Sequence, residues 1–466
     1  MNERFSQGGL LDAGRFWAGM ILDPLGAMQR LGVATASARV MTVGFSPSRR
    51  RQFLYLTGAK NVAAVFLDPE KFRTSNVPRR AHGGGAQARL RRGLIGSQGA
   101  EHAHYRAAFQ AATGKTMLAE FAADVGRQTD SVLRDLPDDR PVDLVTFISD
   151  LVRYFSILGM YKDGDVATAL QIGRDITQWI DLAYAPGTLA LPFRLPGTPY
   201  ARFMRTAEDI EAAILNWTAL RRGVDPERDL LSRFVNGPDE NGKPLSPERM
   251  VGQVTTLFAA SFSSSVASLI WTLFLLMQHP AVANALCDEL DASGIDPVND
   301  GQKLLDLPLL DQVCKESMRL FTPVPYQVRR VTDDAEAACI AVRRDDVIVI
   351  GCWGHNRLAD VFADPTRFRP ERWAASAIDG FDYLTFSAGP RRCVGFNLAM
   401  IMIKVTLASI LKARRPRLVA PTKIDMRVAI NLRCRAPIPV VMARRDQAFQ
   451  SVPVSGTVTR LYTQPG

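Results

Sequence analysis

Phe386-Ser-Ala-Gly389-Pro-Arg391-Arg392-Cys393-Val-Gly395 runs directly into Phe396-Asn-Leu-Ala399-Met-Ile-Met-Ile-Lys-Val-Thr-Leu407. The first half is a glycine-punctuated loop with one cysteine. The second is apolar enough for a buried helix. The thiol therefore precedes a helix N-terminus and has Arg391 and Arg392 beside it. Both features favour the thiolate, the form that binds a metal. Gly389 and Gly395 carry no side chain, so a large flat ligand can lie against the backbone. The stretch reads as a one-cysteine axial site for haem iron.

Working outward, the chain has 466 residues and 47% of them are hydrophobic, normal for a globular protein with a large core. No linker-like break divides it. Six cysteines (Cys287, Cys314, Cys339, Cys352, Cys393, Cys434) and five histidines are scattered. No C-x-x-C pair occurs, which excludes the usual zinc and iron–sulfur frameworks, and the spacing suggests no disulfide scaffold. A reducing, cytoplasmic setting fits. The net charge of +10 admits nucleic acid, an anionic membrane or an acidic protein as a partner. No nucleic-acid-binding motif accompanies it, which leaves an acidic redox partner as the preferred use. In residues 1–35, Asp12, Arg15, Asp23 and Arg30 interrupt the apolar clusters. No run there reaches the roughly 20 residues of a spanning helix, and no signal-peptide pattern follows Met1. An amphipathic, surface-associating helix is the remaining reading of that segment. The division expected is an N-terminal segment (1–35), one domain (36–446) and a flexible tail (447–466).

Val40–Phe45 and Phe53–Thr57 read as short strands, and Ala59–Phe66 as a helix. Asn76–Gln98, rich in glycine and arginine, reads as a long mobile loop. Helices follow over Glu101–Phe109, Thr116–Leu133, Val142–Leu182 and Tyr200–Arg222. A break rich in proline and glycine (185–199) suggests a movable cover or an ordinary helical hairpin. Ser246-Pro247-Glu248 is a strong helix start, and helical pattern continues to Gln278. Within that long helix, Ser261-Phe262-Ser263-Ser264-Ser265 is out of character, because serine hydroxyls bond back to carbonyls and bend the axis. Leu304–Phe321 is a further helix, and Val328–Ile350 holds short strands.

Phe386, Gly389, Arg391, Cys393 and Gly395 together reproduce F-x-x-G-x-R-x-C-x-G, so the chain resembles the cytochrome P-450 family, bacterial soluble type. The resemblance implies a mainly α fold with a smaller β region, and haem b between the long helix and the cysteine-loop helix. It implies the Cys393 thiolate as the iron ligand. Glu316-Ser-Met-Arg319 matches the family's E-x-x-R, and Phe368-Arg-Pro370-Glu-Arg372-Trp373 resembles the segment that brings a second arginine onto that glutamate. Glu316, Arg319 and Arg372 are thus expected to form a buried structural network. His102-Ala-His-Tyr-Arg106 matches H-x-x-x-R, which places His102 and Arg106 on a haem propionate. Arg391 and Arg329 align with further propionate contacts, with Arg330 a near competitor of Arg329.

The long helix departs from the family. The usual A/G-G-x-D/E-T becomes Ala260-Ser261-Phe262-Ser263-Ser264. Ser264 keeps the alcohol, but Ser263 replaces the acid, and serine does not relay protons as a carboxylic acid does. The resemblance implies a monooxygenase that inserts one oxygen atom of dioxygen into a C–H bond, with electrons from a separate ferredoxin or flavodoxin and its reductase. A lipophilic terpenoid or polyketide-type substrate is expected, with Phe258 and Phe262 in the pocket wall and a monomeric protein. Peroxide use, isomerisation or radical coupling is the alternative that the missing acid leaves open; a non-catalytic haem sensor is the remote one.

Overall fold

The computed structural model describes residues 51–464 apart from 76–84, 139, 162–164, 375–377, 379 and 429, together with 5–8, 19, 23, 26–27 and 38–43. The fold is mainly α, 53% helix against 12% strand. Among the described residues, ten helices of eight or more residues carry it: α1 (Ala59–Phe66), α2 (Gly99–Ala112), α3 (Lys115–Arg134), α4 (Leu144–Leu158), α5 (Val166–Ala183), α6 (Pro199–Ala219), α7 (Pro247–Gln278), α8 (Pro280–Ala292), α9 (Pro308–Leu320) and α10 (Phe396–Ala413). The main sheet collects strands from distant parts of the chain. In spatial order it runs Phe5–Gly8, Ala38–Val43, Arg51–Leu56, Val347–Ile350, Gln327–Val331 and Phe72–Thr74. Arg51–Leu56 pairs parallel with Val347–Ile350, and Gln327–Val331 pairs antiparallel with it. The expected strand at Val40–Phe45 therefore sits over Ala38–Val43.

Helix α7 is the axis of the molecule. Its start has the chemistry that a helix needs: the Ser246 side chain accepts from the Arg249 N–H, Pro247 occupies the first turn, and Glu248 faces the helix dipole. Its 32 residues span about 48 Å. Most of it is buried, which explains why so apolar a helix is stable in this chain. By length and composition α7 and α10 are each apolar enough to cross a membrane. However, 72% and 67% of their most apolar windows lie inside the fold. They are core helices here. Helix α10 packs on α3 and α7, and its buried Lys404 ties it to α9, with Nζ 2.9 Å from Asp311 and 2.7 Å from the Leu305 carbonyl.

Two segments are more ordered than the sequence suggests. Of the expected mobile loop, 76–84 lies outside the described residues, but 85–98 is packed. It contains a short helix (Ala86–Arg89), and Arg89 pairs with Glu211 of α6. Gly93 crosses α7 at Gly252 with backbone almost on backbone. A Cβ on Gly93 would lie 2.2 Å from the Gly252 carbonyl, and one on Gly252 2.8 Å from the Gly93 nitrogen. Only glycine permits that approach. The C-terminal segment, expected to be flexible, is likewise held over its described part, to Gln464. Val454–Ser455 pairs with Thr422–Lys423, and Val458, Leu461 and Tyr462 are buried. The Tyr462 ring meets Phe274 of α7 edge-on at 5.5 Å. The wholly buried Arg357 reaches the Leu461 carbonyl at 3.1 Å. Apolar residues spaced along a short strand and turn gave too weak a periodicity to show this packing.

Candidate haem site

The cysteine loop is shaped by local backbone geometry. Ser387 and Gly389 take left-handed conformations (φ 60° and 64°), and the Cys393 N–H closes the loop onto the Phe386 carbonyl at 2.9 Å. Phe386 and Phe396 meet edge-on at 4.8 Å and brace its two ends. Gly395 caps α10, so Cys393 stands three residues before its first turn. Cys287, Cys314 and Cys352 are buried, whereas Cys393 is reachable. Only a reachable thiol can take a ligand. Cys339 is also exposed, but it sits in a surface turn between short strands.

Burial and nearby positive groups act in opposite senses on this thiol. Burial pushes the Cys393 thiol up, outweighing the Gly395 N–H and the Arg106 and Arg392 guanidiniums, which act the other way. Arg391 is not among the groups that act on it. The dipole and cations anticipated from the sequence are present, but desolvation is the larger effect. A metal at this position would deprotonate the coordinating thiol outright.

Around the thiol lies a set of cations. His102 and Arg106 share one face of α2. Burial, then the Arg391 and Arg106 charges, hold the His102 imidazole down to about 4, so it is neutral near neutral pH and offers an N–H without a charge. Arg106 Nη1 donates to the Arg392 carbonyl at 2.7 Å. Arg391 Nη2 donates to the Ser97 carbonyl and to Gln98 Oε1 at 2.8 and 2.7 Å. Its Nη1 is buried and has no partner. Arg329 is buried; it donates to the Val328 carbonyl and Gln327 Oε1 at 3.1 Å each and lies over the Phe66 ring. Burial and then Arg391 act against its charge, pulling it down to about 10. Arg330, one residue on in the same strand, points the other way and pairs with Asp345 at 3.0 Å. That settles which of the two arginines is inside. Among the described residues none of Arg106, Arg329 and Arg391 has a carboxylate within ion-pair distance. Three guanidiniums that repel one another, one with a buried unsatisfied N–H, require anionic oxygen from elsewhere. A group with two carboxylates and a metal centre fits them, and haem is such a group.

Behind the site is a buried ion cluster. Glu316 accepts five N–H groups: Arg319 Nε and Nη2 at 2.9 Å, Arg372 Nε at 3.0 Å, the Arg369 backbone at 2.9 Å and Trp373 Nε1 at 3.0 Å. Arg369 and Trp373 were not foreseen from sequence. Trp373 stands next to the matched Arg372, which was the available signal. Arg319 also donates to the carbonyls of Asn356 and Pro365 at 3.0 and 2.8 Å. The cluster welds α9 to the strand of irregular chain that precedes the cysteine loop.

The long helix turns its residues in three directions. Ala260 and Ser264, one turn apart, are on a face that opens away from the core. Ser264 Oγ donates back to the Ala260 carbonyl at 3.1 Å. Ser263 is buried and accepts from Arg433 Nη2 at 2.8 Å. Phe258 and Phe262 share neither direction. Phe258 is buried against Trp217 of α6 and Gly173 of α5; Phe262 lies under the Arg153 guanidinium of α4 at 4.9 Å. Both therefore serve helix packing and are not on the Ala260–Ser264 face.

This mainly helical fold, with one reachable cysteine at a helix start and cations around it, defines a haem-thiolate protein. The chain belongs to the cytochrome P450 family, whose model matches residues 45–427; members bind haem through a cysteine thiolate. It is 30% identical over 244 residues to "Putative cytochrome P450 135B1" of Mycobacterium tuberculosis, covering 51% of this chain and 49% of that one. The match thus spans about half the length of that relative. Over 400 residues it is 24% identical to "Putative cytochrome P450 139" of the same organism, covering 83% and 90%. A cyanobacterial CYP120A1 structure with bound retinoic acid superposes with a TM-score of 0.73 at 18% identity, covering 87% of this chain and 91% of that one. A P450 EryK mutant in complex with erythromycin B gives 0.67 at 21% identity, covering 86% and 93%.

One prediction follows from the cations. Arg391→Gln removes a charge and an inward-facing donor without emptying the site. Loss of a charged hydrogen bond of about 1.5–3 kcal/mol corresponds to haem release roughly 10- to 100-fold faster. Transfer of haem to a globin scavenger measures it, and an unchanged rate would remove Arg391 from the propionate set.

Proposed function

We propose that this chain is a monooxygenase that inserts one oxygen atom of dioxygen into a C–H bond of a lipophilic small molecule. The single observation carrying this reading is the exposed Cys393 thiol, in a site where Arg106, Arg329 and Arg391 have no carboxylate within ion-pair distance among the described residues. Bound haem supplies the one-electron and oxygen chemistry. The chain does the rest. Cys393 would hold the metal, and His102, Arg106, Arg329 and Arg391 would hold the carboxylates of the group. Ser264 keeps a hydroxyl on the opening face of α7; rotated off the Ala260 carbonyl, it would offer an O–H to a molecule on that face.

The substrate is of terpenoid or polyketide type on this reading. The segment between α5 and α6 exposes Leu191, Phe193 and Leu195, an apolar approach suited to such a molecule. Two structural neighbours were solved with lipophilic compounds, retinoic acid and erythromycin B. The chain acts as a cytoplasmic monomer, its cysteines all unpaired. Electrons come from a separate ferredoxin or flavodoxin with its reductase, for which the +10 charge favours an acidic carrier. The absent acid at Ser263 favours a second reading, in which peroxide is the oxidant or the reaction is an isomerisation or radical coupling. A screen for substrate-induced spin shift, followed by product analysis, separates the two. The first reading requires product with ferredoxin, reductase and dioxygen. Product with peroxide and none with ferredoxin, reductase and dioxygen, or product with no oxidant at all, overturns it.

A further inference from the structure

The buried hydroxyl of Ser263 accepts from a guanidinium, and on its other side that guanidinium holds a carboxylate. Arg433 lies on the hairpin Met426–Val428/Leu432–Cys434. Its Nη2 donates to Ser263 Oγ at 2.8 Å while its Nη1 pairs with Asp181 Oδ1 at 2.9 Å. Asp181 stands in the last turn of α5, and Arg427 of the same hairpin approaches it at 3.5 Å. Among the described residues, the Ser261 and Ser264 hydroxyls donate to backbone carbonyls of α7 itself. Arg433–Asp181 is the charged pair joined to this serine run. On its far side Asp181 lines an outer cleft of about 430 Å³, together with Arg153, Arg174 and Arg202. A single bridge of side chains therefore links solvent to the buried side of α7 at position 263.

We propose that Asp181 is the carboxylate through which a proton enters toward α7, standing in from α5 for the acid that α7 lacks, and that Arg433 is its positioning residue. The inference rests on the dioxygen reading above. Asp181 takes a proton from a hydronium ion in the cleft, which becomes water. The carboxylic O–H then breaks toward a water on the inner side, and Asp181 returns to the carboxylate, so one proton has moved inward and nothing else has changed. Arg433 keeps all its protons, because a guanidinium does not deprotonate at these pH values. It fixes the carboxylate beside Ser263 and leaves the Ser263 O–H free to donate onward, since Ser263 Oγ is the acceptor of the arginine bond. The charged groups around Asp181 are Arg427 and Arg433 from the hairpin, Arg174 from its own helix, Arg202 from α6, and Arg153 of α4, which is paired with Asp150.

The test compares Asp181→Asn, Arg433→Gln and Arg433→Lys in the haem-loaded protein. Turnover with dioxygen and electrons falls about tenfold or more in Asp181→Asn and gains a larger solvent isotope effect. Peroxide-driven turnover, where the oxidant brings its own protons, stays within about twofold. Arg433→Lys recovers part of what Arg433→Gln loses. Independently of turnover, the infrared carboxylate band of Asp181, assigned by its absence in Asp181→Asn, moves in Ser263→Ala. Equal loss in both drive modes, no loss in either, or an Asp181 band indifferent to Ser263→Ala overturns the proposal. If the parent chain turns over with peroxide only, it is the dioxygen reading that fails, and the infrared comparison still decides whether Asp181 and Ser263 are coupled.

Discussion

Glu316→Gln is expected to destabilise the protein by about 3–5 kcal/mol, the usual cost of leaving a buried charge unpaired. The cost does not lie in the lost glutamate charge alone. Arg319 is wholly buried, and with Glu316 neutral its guanidinium faces only carbonyls. Arg372, at 9% exposure, has the same problem in milder form. Against a total stability of about 5–15 kcal/mol, such a loss removes most of the margin. Thermal unfolding of the haem-loaded variant measures it, and a midpoint within a few degrees of the parent would show the cluster to be dispensable. The same residue sets an acid limit. Burial pushes the Glu316 carboxyl up, but Arg319 and Arg372 together hold it below its usual value. A carboxyl depressed in the folded state stabilises it above its unfolded value, about 4.3, and that stability is lost as pH falls through the folded value. The parent should therefore lose stability below about pH 4, and Glu316→Gln should lose less over that range.

Removal of residues 447–466 is expected to have an effect at least as large. The segment buries Phe449, Val454, Val458, Leu461 and Tyr462. At about 1.5–3 kcal/mol for each fully buried large side chain, the upper estimate rivals the whole stability of the fold. Truncation also uncovers Trp271, Phe274 and Phe321 in the ring cluster that Tyr462 joins, and it takes the Leu461 carbonyl from the buried Arg357. A protein lacking the segment should fail to retain haem at ambient temperature or should melt far below the full chain. If it melted normally, the segment would be an appendage. Tyr462→Ala is the milder check, expected to cost about 3–5 kcal/mol.

What could be read from the sequence was what is encoded locally. The cysteine loop is contiguous, and its turns and helix start follow from Gly389, Pro390 and the apolar run after Gly395. The start of the long helix was legible because Ser246, Pro247 and Glu248 each do one known thing in the first turn. Most other helix ends fell within a few residues, but the single helical pattern over Val142–Leu182 is two helices, α4 and α5, and its missed break follows Leu158. What escaped notice depends on contacts between distant residues. Gly93 and Gly252 are unremarkable until one backbone crosses the other. The apolar residues of the C-terminal segment look like a frayed end until α7 is beside them. The thiolate at Cys393 was legible from the local pattern, because Arg392 and the Gly395 N–H, which favour it, adjoin it in the chain. The orientation of Phe258 and Phe262 was open to a simple correction: residues one turn from Ser264 share its face, and that residue is Ala260. The Arg433–Asp181 bridge to Ser263 joins three elements far apart in the chain, and no spacing rule points to it.

The claim on which all else depends is that Cys393 ligates haem iron as a thiolate. The most direct measurement is the absorption spectrum of the reduced, carbon monoxide-bound protein, taken for the parent and for each of six single Cys→Ala variants. The account predicts a strongly red-shifted thiolate Soret band in the parent, kept in the variants at Cys287, Cys314, Cys339, Cys352 and Cys434 and abolished in Cys393→Ala. A parent band at the position of histidine-bound haem, or a thiolate band that survives in Cys393→Ala, would contradict it.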